Sequence, residues 1–220
     1  MKSYIYQALS ALLCYPEAEL VEAVPEIRTA LAPQPELAAL VEPLLSHIAS
    51  TALIPLQEQY VQTFDRNRSH SLHLFEHIHG EDRERGQAMV DLLQEYQKHG
   101  YELVSSELPD YVPLFLEFLS QCDEEEGSKL LGDAVHVLNH VAKKLQENGS
   151  VWAGPLQAAV LLSPVEPQPL VTPPVRDMDE AMEVFGPTPD GVEPLLKPTV
   201  PAIAPVHFYA RPQGQHTAVA

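Results

Sequence analysis

The chain has 220 residues, of which 45% are hydrophobic, and 31 acidic residues against 13 basic ones give it a formal net charge of −18. This length predicts one domain with an appendage, and the acidic balance argues against binding to nucleic acid or an anionic membrane, since both require phosphates to be neutralised. Two cysteines, Cys14 and Cys122, are too few for a disulfide scaffold or a four-cysteine zinc site, and they favour a reducing cytoplasm.

The first predicted element is an amphipathic helix at the start of the chain. One lysine precedes a short apolar stretch that contains Tyr4, Tyr6 and Gln7 and leads into acidic residues rather than a small-residue cleavage site. This pattern predicts a helix and not a signal peptide. No run reaches the roughly eighteen apolar residues of a transmembrane helix, so we expect no membrane insertion.

Apolar residues recur at helical spacing throughout residues 1–162, and no segment shows the sustained alternation of a strand. The pattern predicts an all-α domain, a single bundle of about seven or eight helices, with loops near 67–80 and 100–110. In the longest predicted helix Asp123 can act as N-cap, and Asn148 and Gly149 mark its end. The stripes are Ile5, Leu9, Leu12 and Leu13; Leu37, Leu40, Val41, Leu44, Leu45 and Ile48; Leu53, Leu56, Tyr60 and Phe64; Met89, Leu92, Leu93 and Tyr96, followed by Gly100; Val112, Phe115, Phe118 and Leu119; and Leu131, Ala134, Leu138, Val141 and Leu145.

A histidine-rich segment, FDRNRSHSLHLFEHIHGEDRERG, runs over residues 64–86. Two of its histidines, His73 and His77, are four residues apart, which would place both rings on one helical face close to Glu76, as a metal site could require. There is no HExxH motif and no nearby cysteine, so a polar loop packed on the core is the favoured interpretation. The other histidines are His70 and His79, and the residues expected to pack are Leu72, Leu74 and Phe75.

The helix predicted after this segment begins with Glu81 and Asp82, where carboxylates stabilise the positive end of the helix dipole. It also contains Gly86. Glycine inside a helix costs about 1 kcal/mol relative to alanine, so Gly86 predicts the close approach of another backbone, from either a neighbouring helix or a bound peptide.

Carboxylates and aromatic residues surround the segment ELPDYVPLFLEFL, residues 107–119. Asp110 is a plausible N-cap for a helix that begins next to Pro113. With two further carboxylates and three aromatic rings, it could also face a groove for a peptide that carries arginine beside apolar residues. The carboxylates are Glu107 and Glu117, and the rings are those of Tyr111, Phe115 and Phe118. The residues alone leave both interpretations open, capping with an aromatic core or a peptide groove.

The remainder of the chain, residues 163–220, holds 12 of the 21 prolines. Such spacing forbids a regular helix and favours extended, polyproline-like chain. We therefore divide the chain into a helical domain, residues 1–162, and a proline-rich tail that is largely irregular or disordered, residues 163–220. No nucleophile elbow, cysteine-protease pattern or glycine-rich phosphate loop occurs, so no catalytic residues are predicted.

Taken together, the stretch YVQTFDRNRSHSLHLFEHIHGEDRERGQAMVDLLQEYQKHG and the following ELPDYVPLFLEFL resemble the NarJ-type nitrate reductase molybdenum cofactor assembly chaperones, a branch of the redox-enzyme maturation chaperones. The resemblance covers residues 60–119. It implies an all-helical, non-enzymatic cytoplasmic protein without a cofactor or metal of its own. Its implied partner is the apo catalytic subunit of the membrane-bound nitrate reductase, bound through an N-terminal leader-like peptide, and its implied role is to support molybdenum cofactor insertion.

The resemblance implies peptide-binding candidates in three matching motifs. It also leaves the oligomeric state open between a monomer and a domain-swapped dimer. An alternative from another class is a protein that handles a metal or molybdopterin with the histidine-rich loop 70–79. The candidates are Tyr60, Phe64 and Asp65 of YVQTFD; His79, Glu81 and Asp82 of HGEDR; and Glu107, Pro109, Asp110 and Tyr111 of ELPDY.

Overall fold

The computed structural model of the chain describes residues 2–80, 83–103 and 107–170. In these ranges the chain forms nine α-helices and no strand, which confirms the predicted all-α class. The helices are α1 (Lys2–Leu13), α2 (Ala18–Leu31), α3 (Pro35–Ser50), α4 (Leu53–Phe64), α5 (Leu74–His79), α6 (Glu84–Lys98), α7 (Val112–Gln121), α8 (Glu124–Glu147) and α9 (Ala153–Leu162).

The prediction of a loop over residues 67–80 was wrong, because this segment holds a 3-10 turn, Arg68–His70, and the short helix α5. Each of these elements is too short to produce a periodic apolar pattern, and the sequence therefore predicted a loop. Leu72 and Leu74 are buried and Phe75 packs against the core, as predicted.

The core lies where α1 packs against α7 and α9, and where α8 and α3 each pack against α9. Leu9, Leu12 and Leu13 on α1 are fully buried, as is Leu138 on α8. The predicted stripes therefore face this core on most of the helices. Helix α6 is the exception, since Tyr96 is its only buried residue and Met89, Leu92 and Leu93 are half-buried.

The ends of α6 and α8 have the capping residues that the sequence predicted. The Asp123 side chain accepts a hydrogen bond from the Glu126 N–H at 2.9 Å, which is the predicted cap of α8. Gly100 and Gly149 follow α6 and α8 with φ values of 81° and 67°, a conformation that favours glycine. These three predictions are confirmed.

The close approach of a neighbouring helix expected at Gly86 occurs at another glycine, Gly154. A Cβ atom added to Gly86 would meet nothing within 4 Å, so its position in α6 is open. At Gly154, in contrast, a Cβ would overlap the carbonyl oxygen of Leu40, because the backbones of α9 and α3 touch there. The fold therefore requires the missing side chain at Gly154, whereas at Gly86 it excludes a neighbouring helix and leaves a bound peptide as an untested prediction.

Beyond α9, residues 163–170 run along α8. Val165 lies against Gly132, and the Gln168 N–H donates to Nδ1 of His136 at 3.0 Å. Residues 171–220, the greater part of the predicted tail, are outside the described residues. Within the described ranges, no helix combines the length and apolarity needed to cross a membrane.

Candidate functional site

Five of the predicted peptide-binding residues line one cavity between the end of α4 and the turn before α7. The cavity has a volume of about 230 Å³, and we call it the Tyr60 cleft. Because α4 places Tyr60 and Phe64 one turn apart, both rings point to the same side. An adjoining hollow of about 550 Å³ shares Phe64, Asp65, Ser71 and His73 with it. The cleft is lined by Tyr15, Tyr60, Phe64, Asp65, Ser71, Leu72, His73, Glu107 and Tyr111.

The wall of the cleft is aromatic. The Tyr60 hydroxyl donates to the Leu13 carbonyl at 2.8 Å, so the Tyr111 hydroxyl, 3.2 Å away, is the donor in the bond between the two tyrosines. The Tyr60 ring packs against Phe64, with ring centroids 4.7 Å apart, and edge-on against Tyr15 at 5.6 Å. Burial raises the pKa of Tyr60, and it raises the pKa of Tyr111 to about 12, so both phenols are neutral at pH 7.

Asp110 lies beneath the cleft and is completely buried. Its Oδ2 accepts the Phe75 N–H at 3.0 Å, and its Oδ1 accepts from Nδ1 of His73 at 3.2 Å. The Leu74 N–H also donates to the Asp110 carbonyl at 3.0 Å. Asp110 therefore joins the start of α5 to the turn before α7.

The prediction that Asp110 caps α7 was wrong. The N-cap of α7 is Tyr111, which makes no side-chain cap, and Asp110 instead satisfies the N-terminus of α5, 35 residues earlier in the chain. Burial by itself would raise the pKa of Asp110, but the hydrogen bonds from His73 and from the Phe75 N–H outweigh it and lower the pKa. The carboxylate is therefore ionised and held in place.

The two other predicted residues of this turn differ in exposure. Glu107 is exposed at the rim of the cleft, where its carboxylate can reach a ligand. Pro109 is half-buried, and its carbonyl accepts the Tyr96 hydroxyl at 2.7 Å, which ties the turn to α6.

Of the second predicted motif, the structure describes only His79, and this residue is not brought into the cleft. His79 ends α5, its ring packs against Phe75 with centroids 6.1 Å apart, and its Nδ1 is 3.9 Å from Oε2 of Glu84. It lines neither the cleft nor the adjoining hollow. Glu81 and Asp82 are outside the described residues.

The charged residues that form the far side of the site were not among the predicted site residues. Arg68 Nε is 2.9 Å from Oε1 of Glu76, and the Ser71 hydroxyl donates to Oε2 of the same carboxylate at 2.5 Å. Arg66, Arg68 and Glu76 line the hollow that adjoins the Tyr60 cleft. The only signal in the sequence was the cluster of arginines and histidines, which does not reveal which carboxylate each residue meets.

The histidines proposed as metal ligands are bound to other groups. His70 donates to the Thr63 carbonyl at 3.0 Å, and His77 donates to the Ser71 carbonyl at 2.8 Å, while His73 binds Asp110. Within the described ranges, a different set, Glu95, His99 and Glu126, has ligand atoms that all lie within 4.8 Å of one another. The geometry therefore does not favour the loop 70–79 as a metal site.

Comparison with known proteins shows a family match and similar proteins that are named as assembly chaperones. Residues 22–158 match the family described as nitrate reductase delta subunit. The nitrate reductase molybdenum cofactor assembly chaperone NarJ of Escherichia coli (strain K12) is 42% identical over 149 residues, or 66% of this chain and 63% of the relative. A NarJ protein of Bacillus subtilis (strain 168) is 32% identical over 164 residues, or 73% of this chain and 88% of the relative.

The chain thus spans somewhat less than two thirds of the length of the Escherichia coli relative. Among solved structures, a redox enzyme maturation protein from Archaeoglobus fulgidus superposes with a TM-score of 0.56 at 20% identity. The superposition covers 73% of this chain and 93% of the other. At this identity the likeness supports the helical fold alone.

Proposed function

Because the chain belongs to the nitrate reductase delta subunit family, we propose that it is a cytoplasmic chaperone for the assembly of nitrate reductase. It binds the apo catalytic subunit of the respiratory enzyme and supports insertion of the molybdenum cofactor. The resemblance seen in the sequence is confirmed by the family match, and the relatives are named as assembly chaperones rather than as enzymes.

The observation that carries the proposal is the convergence of Tyr60, Phe64, Asp65, Glu107 and Tyr111 on one cleft. Residues from two segments more than forty positions apart form an aromatic wall with carboxylates beside it. Aromatic faces accept the plane of an arginine side chain, and carboxylates pair with its charge. The partner segment that fits is the N-terminal leader-like peptide of the catalytic subunit, with a cation beside apolar residues.

Within this site the roles divide by exposure. Glu107, at the rim, meets the cation of the peptide, and Asp65 lines the same cavity. Asp110 is a positioning residue, since it is buried and acts through the segments that it joins. His79, Glu81 and Asp82 stay candidate contacts on the strength of the motif resemblance.

The test is calorimetric titration of the full chain with a synthetic peptide from the N-terminus of the catalytic subunit. A charge-assisted hydrogen bond contributes roughly 1.5–3 kcal/mol, so Glu107→Gln should weaken binding about tenfold or more. Its thermal midpoint should not change, because Glu107 is exposed.

Glu125→Gln is the matched control, because Glu125 is an exposed residue of the first turn of α8 that lines neither the cleft nor the adjoining hollow. It should bind the peptide as the wild type does. Absence of heat with the wild-type chain would contradict the leader-peptide proposal. Equal loss of affinity in both variants would show a diffuse charge effect rather than a contact at the cleft.

A further inference from the structure

A second groove lies between the end of α6 and the middle of α7, and its volume is about 380 Å³. Three aromatic rings form it: Phe118 packs against Tyr96 with centroids 4.5 Å apart, and Tyr101 meets Phe118 edge-on at 5.7 Å. Leu103 and Leu114 complete the apolar lining. Tyr101 is 38% exposed, so the groove opens to solvent.

Carboxylates lie at the edge of this groove, which we call the Tyr96–Phe118 groove. Glu102 and Glu117 line it, and both are exposed. Grooves lined with aromatic rings bind extended proline-rich segments of the PxxP type, because such segments are already in the conformation that binds. An acidic edge adds a preference for a lysine or arginine next to the prolines.

We propose that residues 194–205 of the same chain, PLLKPTVPAIAP, dock in the Tyr96–Phe118 groove. Pro198 and Pro201 form a PxxP motif, and Lys197 precedes it directly. The prolines lie on the aromatic rings, and Lys197 pairs with a carboxylate at the edge.

Charge selects this segment from the rest of the chain. Residues 194–220 contain Lys197 and Arg211 and no acidic residue, which makes them the longest acid-free stretch in the sequence, with a net charge of +2. Residues 1–193 hold the other 11 basic and all 31 acidic residues, so their net charge is 11 − 31 = −20. The other PxxP motif, Pro164 to Pro167, includes Glu166 and precedes Gln168, which is bound to α8.

The segment can reach the groove. The described chain ends at Leu170, which packs against the core, so 23 residues separate it from Pro194. A flexible linker of that length spans about 25 Å, and more if it is polyproline-like, against a radius of gyration of roughly 15 Å for a domain of about 170 residues. A tethered segment has an effective concentration in the millimolar range, so even a weak contact is populated.

The experiment measures binding of a fluorescein-labelled peptide of residues 194–205 to full-length chains by fluorescence anisotropy. In the wild type the tethered segment competes with the peptide, whereas Pro198→Ala/Pro201→Ala frees the groove. The labelled peptide should bind the double variant more tightly than the wild type by a factor of one plus the effective concentration divided by the Kd, which is about fivefold for an effective concentration of about 1 mM and a Kd of about 0.25 mM. Pro187→Ala/Pro189→Ala, in the acidic part of the tail, is the matched control and should behave as the wild type does.

Glu117→Lys, added to the double variant, should weaken binding again, and a peptide with Lys197→Glu should recover it. Equal affinity for the wild type and the double variant would overturn the proposal, as would binding that ignores Glu117→Lys or no binding at all. Competition that grows with protein concentration would instead assign the groove to a second copy of the chain. No nitrate reductase peptide is present, so the result is independent of the proposed function.

Discussion

The carboxylate of Asp110 connects two segments that are distant in sequence, and its removal should cost more than the loss of an ordinary helix cap. No part of the side chain is exposed, and its two oxygens accept hydrogen bonds from the Phe75 N–H at 3.0 Å and from His73 at 3.2 Å. Hydrogen bonds to a charged group contribute about 1.5–3 kcal/mol each.

Two substitutions separate the possible roles of Asp110. Asp110→Ala leaves the Phe75 N–H buried without an acceptor, so we expect the free energy of unfolding to fall by about 3–5 kcal/mol. Asp110→Asn keeps the shape and one acceptor but turns an NH₂ group towards the other donor, and we expect a loss of about 1.5–3 kcal/mol. If Asp110 were a simple N-cap, asparagine would replace it with almost no loss.

Urea unfolding at pH 7 measures these losses, with Asp133→Asn, an exposed residue of α8, as the control. A change below about 0.5 kcal/mol in the free energy of unfolding for Asp110→Asn would refute the reasoning.

The pH dependence of stability gives a second check on the role of Asp110. Because the folded pKa of Asp110 is lowered, its stabilisation is complete above the unfolded value of 3.8 and disappears as the pH falls through the folded pKa. The unfolding free energies of wild type and Asp110→Asn should therefore converge in strong acid.

Two further predictions concern glycine and histidine. Gly154→Ala should lower the free energy of unfolding by several kcal/mol, because its methyl group would overlap the Leu40 carbonyl. Gly86→Ala should raise the free energy of unfolding by about 0.5–1 kcal/mol, because the position is open and alanine has less conformational freedom in the unfolded chain. Urea unfolding measures both changes. Burial lowers the pKa of His77, so stability should be constant above pH 6.5 and fall as the pH drops from 6.5 towards the folded pKa. His77→Gln should reduce that slope, and an unchanged slope would mean that other groups cause it.

The features that the sequence predicted well depend on neighbours in the chain. Helical stripes, the Asp123 cap and the glycines after α6 and α8 are set by residues within a few positions, and the structure has them, except that the stripe of α6 is only half-buried. Tyr60 and Phe64 share a helix face for the same reason. The family motifs supplied the remaining step, since spacing alone gave no reason for Glu107 to meet the end of α4.

The features that could not be predicted from the sequence depend on partners far away in the chain. Nothing near Asp110 indicates that its partners are His73 and the Phe75 N–H, because sequence spacing favours the nearer helix start. Gly154 stands in an ordinary apolar run, and only the crossing of α9 over α3 makes its missing side chain necessary. The helix α5 was missed because six residues carry too little periodicity.

The contact at Asp110 also determines how the cleft is assembled. His73 pairs with Tyr111 in an isolated antiparallel bridge, and the Val112 N–H donates to the Leu72 carbonyl at 2.8 Å, so the two walls of the cleft are joined by polar contacts. A buried charge with specific partners fixes position more than it adds stability, because its desolvation offsets much of the gain. Asp110→Asn should therefore lower both stability and peptide affinity, whereas Glu107→Gln should lower affinity alone. Asp110→Asn with lost stability but full affinity would show that the cleft keeps its shape without this carboxylate.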